Sequence, residues 1–82
     1  MNLIQNNSNK LTLSETQLIY PNMDSRKFIR TYDLSLDAIS YVLENSQKYE
    51  GDYITLHDVL KYNKYSFDEI KNYKDGILLN FY

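Results

Sequence analysis

Residues 17–32 read Gln17-Leu18-Ile19-Tyr20-Pro21-Asn22-Met23-Asp24-Ser25-Arg26-Lys27-Phe28-Ile29-Arg30-Thr31-Tyr32. Pro21, Asn22, Asp24 and Ser25 interrupt two runs of larger side chains. Pro fixes φ, and Asn, Asp and Ser bond their own backbone, so the cluster predicts a turn. Beyond it, Arg26–Tyr32 is rich in aromatic and β-branched residues, the composition of a strand. Gln17–Tyr20 and Arg26–Tyr32 therefore pair, on this reading, as a hairpin across a loop of about five residues. Upstream, Leu11 and Leu13 alternate with Thr12 and Ser14 in a further β-type run. Residues 1–9 set Asn2, Gln5, Asn6, Asn7, Ser8 and Asn9 around Leu3–Ile4, show no periodicity, and are expected to be a disordered arm.

Downstream the pattern takes a helical period. Ser35 is a suitable N-cap, and Asp33 and Asp37 bracket the positive end of the helix dipole. The helix is predicted to run to about Tyr49, with Gly51 as its stop. Leu36, Ala38, Ile39, Val42, Leu43, Ser46 and Tyr49 fall on one side of it, and Asp37, Ser40, Tyr41, Glu44, Asn45 and Lys48 on the other. Thr55 and Asp58 form a capping box for a short second helix, with Leu56, Val59 and Leu60 inward and its end near Asn63. Ser66 and Glu69 open a third, with Phe67 and Ile70 inward and Asp75-Gly76 closing it. Ile77-Leu78-Leu79-Asn80-Phe81-Tyr82 is too apolar for a free tail and is expected to be a strand, or else a segment that adds to a partner's sheet. The predicted order is β-β-α-α-α-β. This makes residues 10–82 a single α+β domain, a small antiparallel sheet of about three strands with three helices on one face.

Composition removes several kinds of chemistry. There is no Cys, so thiol nucleophiles, disulfides and cysteine zinc sites are excluded. One His and two Gly argue against a histidine metal site or a glycine-rich phosphate loop. His57 is the candidate base nearest neutral pH, but Asp58 points about 100° away on the same helix and cannot orient it. The pairs Asp68–Glu69 and Glu50–Asp52 are read as dipole and surface acids. The chain is expected to be non-enzymatic, with no cofactor and no metal. No apolar run reaches membrane-spanning length and no secretory leader pattern opens the chain, so a cytoplasmic protein without membrane partners is expected.

Net charge is −2, which disfavours nucleic acid as a partner. The charge is uneven, however. Through Thr31, Lys10, Arg26, Lys27 and Arg30 outnumber Glu15 and Asp24, whereas from Tyr32 onward five lysines face nine acids. Lys61-Tyr62-Asn63-Lys64-Tyr65 has the aromatic-basic character of a nucleic-acid patch, but Asp58, Asp68, Glu69 and Asp75 offset its lysines. A basic strand with Arg26, Lys27 and Arg30, a capped helix ending before Gly51, and a second helix opening at Ile54-Thr55-Leu56 resembles the ribbon–helix–helix layout. The likeness covers about residues 26–63 and implies a homodimer whose paired strands enter the major groove. Phe28 departs from it, falling on the face shared by Arg26 and Arg30.

The feature singled out is the outer face of the 35–49 helix. Tyr41 lies mid-way across it, Asp37 and Glu44 flank it one turn either way, and Asn45 and Lys48 complete the patch. A tyrosine offers a large contact area for few rotors, and acids around it steer a basic partner. Glu50 and Asp52 are expected to extend the negative surface. Asn, Ile, Lys and Tyr fill 32 of 82 positions, and their AT-rich codons suggest an AT-rich bacterium or a mobile element. The resulting expectation is a small acidic inhibitor of phage or mobile-element type, anti-CRISPR-like in its anti-defence role, that occludes a basic surface on another protein in the host cytoplasm. A ribbon–helix–helix regulator or antitoxin, and a structural subunit of a larger assembly, are the alternatives. A homodimer is compatible with the reading.

Overall fold

Each α-helix starts on a side chain that answers its first free N–H groups. The computed structural model describes residues 10–48 and 52–82. Among these residues there are five α-helices: α1 (Leu13–Ile19), α2 (Ser25–Thr31), α3 (Leu36–Ser46), α4 (Leu56–Tyr62) and α5 (Phe67–Asn72). Two 3₁₀ segments, Tyr20–Asn22 and Tyr73–Phe81, follow α1 and α5. The α+β expectation is overturned, because the described residues contain no strand or sheet. Their only β feature is an isolated parallel bridge between Leu11 and Leu34.

The physical reason is clearest in α2. As a strand, alternation places Phe28 beside Arg26 and Arg30. As a helix, Ser25, Phe28, Ile29 and Tyr32 follow the i, i+3, i+4, i+7 spacing of one stripe. Burial follows the helix: Ser25, Phe28 and Ile29 are buried, while Arg26, Lys27 and Arg30 are exposed. Asp24, read as a turn residue, is the N-cap and accepts from the Lys27 N–H at 2.8 Å. The aromatic and β-branched composition that favours strands acts only through packing on a sheet, and no sheet forms here to supply it. The same applies to Leu11–Ser14. Thr12 and Glu15 close a capping box, with the Glu15 N–H donating to Thr12 Oγ1 at 3.1 Å and the Thr12 N–H to Glu15 Oε1 at 2.9 Å.

The three helices expected downstream are present. α3 is capped by Ser35 and buries Ala38, Ile39, Val42, Leu43 and Ser46. α3 ends at Ser46 with Gln47 as its C-cap, so it stops short of the expected Tyr49 and Lys48 lies in the turn beyond it. Tyr49, the expected stop at Gly51 and the arm 1–9 lie outside the described residues. The capping boxes at Thr55/Asp58 and Ser66/Glu69 are both formed. Phe67 is not inward as expected: it is 66% exposed, and Ile70 alone carries the short α5 into the core.

The end of the chain is a second correction. Lys74, Asp75 and Gly76 occupy the left-handed region with φ of 45°, 59° and 81°, reversing the chain after α5. Ile77–Tyr82 then folds back as a 3₁₀ segment against α5 rather than as a strand, with Leu78 fully buried. A left-handed reversal cannot lead straight into extended pairing beside α5. The apolar residues are buried by a tight helical turn instead.

The buried side chains gather into one cluster drawn from all five helices except α1, together with Tyr20, Leu34, Ile54 and Leu78. Asn63 ties its far sides together. Its Oδ1 accepts from the Leu34 N–H at 2.6 Å, and its Nδ2 donates to the Ile29 carbonyl at 3.0 Å. The Tyr65 hydroxyl donates to the Leu34 carbonyl at 2.5 Å. Residues just after α4 thus satisfy backbone groups in the last turn of α2 and at Leu34 before α3 that would otherwise be buried unpaired.

Candidate partner-binding surface

The polar side of α3 is where the helix phase placed it, but its residues differ in what they are free to do. Tyr41 is half-buried. Its ring stands edge-on to Tyr20 with centroids 6.2 Å apart, and Tyr20 packs in turn on Phe28 at 5.2 Å. The Tyr41 ring thus rests on the core instead of projecting freely. It lines two shallow clefts. One, of about 170 Å³, is lined by Leu13, Asp37, Ser40, Glu44, Tyr73 and Lys74 as well as Tyr41. The other, of about 280 Å³, is lined by Tyr20, Pro21, Met23, Asn45 and Asp52 as well as Tyr41.

The first cleft sets two carboxylates, Asp37 and Glu44, against one ammonium, Lys74. The Tyr73 hydroxyl donates to Asp37 Oδ1. Burial first, then that bond, then the negative charges of Asp37 and Glu44 push the Tyr73 hydroxyl up to about 12. Glu44 is exposed, and so is Lys48. Lys74 holds its ammonium 5.4 Å from the centre of the Tyr73 ring. Asn45 spends its amide on its own helix, donating to the Tyr41 carbonyl at 2.8 Å.

The remaining acids of the expected patch separate. Glu50 lies outside the described residues. Asp52 turns inward, accepting from the Ser25 N–H at 2.8 Å and the Ser25 hydroxyl at 2.7 Å. The Tyr20 hydroxyl lies 3.5 Å from the same carboxylate and 2.5 Å from Ser25 Oγ. Burial above all raises the Tyr20 hydroxyl pKa, and the Asp52 charge adds to it. Asp52 therefore pins the start of α2 to the segment leading into α4. It is a tie within the fold more than a surface acid.

A different surface was missed by sequence reasoning. Leu56, Leu60, Tyr65, Phe67, Ile70, Leu79 and Tyr82 line an apolar groove of about 480 Å³ between α4, α5 and the end of the chain. Reading Phe67 as inward and Ile77–Tyr82 as a strand hid it. His57 is exposed and stands edge-on to Tyr82 at 6.3 Å. Among the described residues no group of three or more His, Cys, Asp or Glu is arranged to hold a metal ion, and no helix is long and apolar enough to cross a membrane. Comparison with family models, curated proteins and solved structures found no match to this chain.

Proposed function

We propose that this chain is a small non-enzymatic protein that binds another protein, laying the outer side of α3 against a basic surface and occluding it. The observation carrying the reading is the cleft beside Tyr41, where two carboxylates face one lysine: Asp37 accepts from the Tyr73 hydroxyl, and Glu44 and Lys74 line the same cleft. A ring already packed on Tyr20 loses little side-chain entropy on binding, and acids around it speed encounter with a cationic partner. A phage or mobile-element inhibitor acting in a host cytoplasm is the setting that composition supports. The basic segment expected as a ribbon is the helix α2, and the apolar end expected as a strand is a 3₁₀ turn packed on α5, so the strand each alternative was to use is not formed.

Glu44 is the residue to perturb, because it is exposed and bonds nothing among the described side chains. A photo-crosslinking residue at position 44 should capture the partner for identification. Glu44→Lys should then weaken its binding about tenfold, with a salt dependence shallower than that of the parent. Unchanged affinity in Glu44→Lys, with the fold intact, overturns the reading.

A further inference from the structure

Arg26 and Arg30 stand one turn apart on α2, and Lys61 lies in the last turn of α4. In sequence Lys61 sits 31 or more positions away, among acids. In the fold, the three cations line one cleft of about 80 Å³ between α2 and α4, together with Ile29, Asp58 and Tyr62. Asp58 is its one carboxylate, and Asp58 is largely committed elsewhere. Its Oδ2 accepts from the Thr55 N–H at 3.0 Å and the Thr55 hydroxyl at 3.2 Å, leaving Oδ1 3.9 Å from Arg26 Nη1. That is the only ion pair among the described residues, so Arg30 and Lys61 have no carboxylate partner there. The Arg26 side chain stays 62% exposed, and its Nη2 donates to the Tyr53 carbonyl at 3.4 Å. Tyr53 and Tyr62 are 52% and 46% exposed; Tyr62 lines the cleft, and Tyr53 meets Arg26 through its backbone carbonyl.

We propose that this cleft binds the phosphodiester backbone of a single-stranded nucleic acid, with Tyr62 and Tyr53 stacking on its bases. Guanidinium groups suit phosphate because their planar N–H groups can meet two of its oxygens at once. Cations alone would serve a phosphopeptide equally well. The exposed tyrosine rings favour a polynucleotide, because every base presents a face on which to stack and stacking needs no sequence match. They also favour single strands, whose bases are free to leave their neighbours. A net charge of −2 argued against nucleic acid from the sequence, yet the fold concentrates three cations on one face. The site lies on a different helix pair from the α3 face and does not depend on that reading.

The probe is a fluorescein-labelled, mixed-sequence DNA 12-mer, read by anisotropy between 20 and 200 mM NaCl. Three neutralised phosphates predict that log K falls with log salt at a slope of about −2. Arg30→Glu with Lys61→Glu should weaken binding at least tenfold while leaving helical circular dichroism unchanged. Tyr62→Ala should weaken it several-fold and leave the slope alone, since stacking releases no counterions. Should the double reversal disturb the fold, Arg30→Gln and Tyr62→Ala decide the matter by the same readouts. Glu44→Lys should not weaken binding. No binding at 20 mM salt, unchanged affinity in the reversed or neutralised variants, a hairpin duplex bound as well as the 12-mer, or a phosphotyrosine peptide bound more tightly would each overturn the proposal.

Discussion

Replacing Asn63 by alanine removes one amide and strands two backbone groups. The Leu34 N–H loses its acceptor at 2.6 Å, and the Ile29 carbonyl loses its donor at 3.0 Å. Ile29 lies in the last turn of α2, where carbonyls have no helical N–H ahead of them. Asn63 is 1% exposed and Leu34 0%, so water does not readily replace the amide. A buried group left unpaired costs about 1–3 kcal/mol, which puts the pair at ~2–6 kcal/mol. That is a large share of the ~5–15 kcal/mol that keeps a domain folded. Each kcal/mol lowers Tm by about 4–8 °C in a domain of this size, so a fall of at least ~8 °C is expected. Thermal melts followed by circular dichroism at 222 nm, with urea melts alongside, measure it. Asn63→Asp keeps the acceptor for Leu34 but loses the donor to Ile29 and buries a carboxylate against that carbonyl, so it should be no more stable than the alanine variant. A Tm within ~4 °C of the parent for Asn63→Ala would refute the reasoning, because the amide would then not be holding α2 to the start of α3.

The remaining expectations concern the ends and the pH range of the fold. Gly76 has φ of +81°, and a Cβ there would meet its nearest neighbours at an unstrained 3.5 Å, so Gly76→Ala should cost only the left-handed backbone penalty of about 1 kcal/mol by chemical denaturation. Phe67→Ser should cost no more than about 1–2 kcal/mol, because the residue is 66% exposed and packs only one side in the groove; a loss of several kcal/mol would place it in the core after all. At alkaline pH the unfolded chain releases the Tyr73 proton at an ordinary 10.0 and the folded chain at about 12. The stability this group contributes is therefore full below pH 10 and lost as pH rises through 12, and Tyr73→Phe should remove that part of the pH–stability curve. At the acid end, the Thr55 N–H holds the Asp58 carboxyl below its ordinary 3.8, so its contribution is present above that pH and lost as pH falls further; a melt series on Asp58→Ala should lack this loss.

The residues show where sequence was sufficient. Ser35, Thr55 with Asp58, and Ser66 with Glu69 each satisfy a helix start within four positions, so α3, α4 and α5 were legible from short-range chemistry. So was the buried stripe of α3. Thr12 with Glu15 and Asp24 carried the same kind of signal for α1 and α2, and the spacing of Ser25, Phe28, Ile29 and Tyr32 agreed with it. Strand-like composition outweighed these in the reading, although that preference depends on a sheet to pack against.

Of the candidate surface, the helix phase correctly turned Asp37, Tyr41 and Glu44 toward the same side of α3. It did not show that Tyr41 leans on Tyr20 or that Tyr73 joins Asp37 from 36 positions away. Asp52 looked like a surface acid until the fold set it against Ser25. Asn63 looked like a helix end until it was found bridging Ile29 and Leu34. The row of Arg26, Arg30 and Lys61 exists only because α2 packs beside α4. Along the chain, then, one can read where helices begin and which side of each is apolar, because those depend on backbone groups a turn apart. Which polar groups meet across the molecule depends on how the apolar sides stack, and that was decided only when the whole core closed.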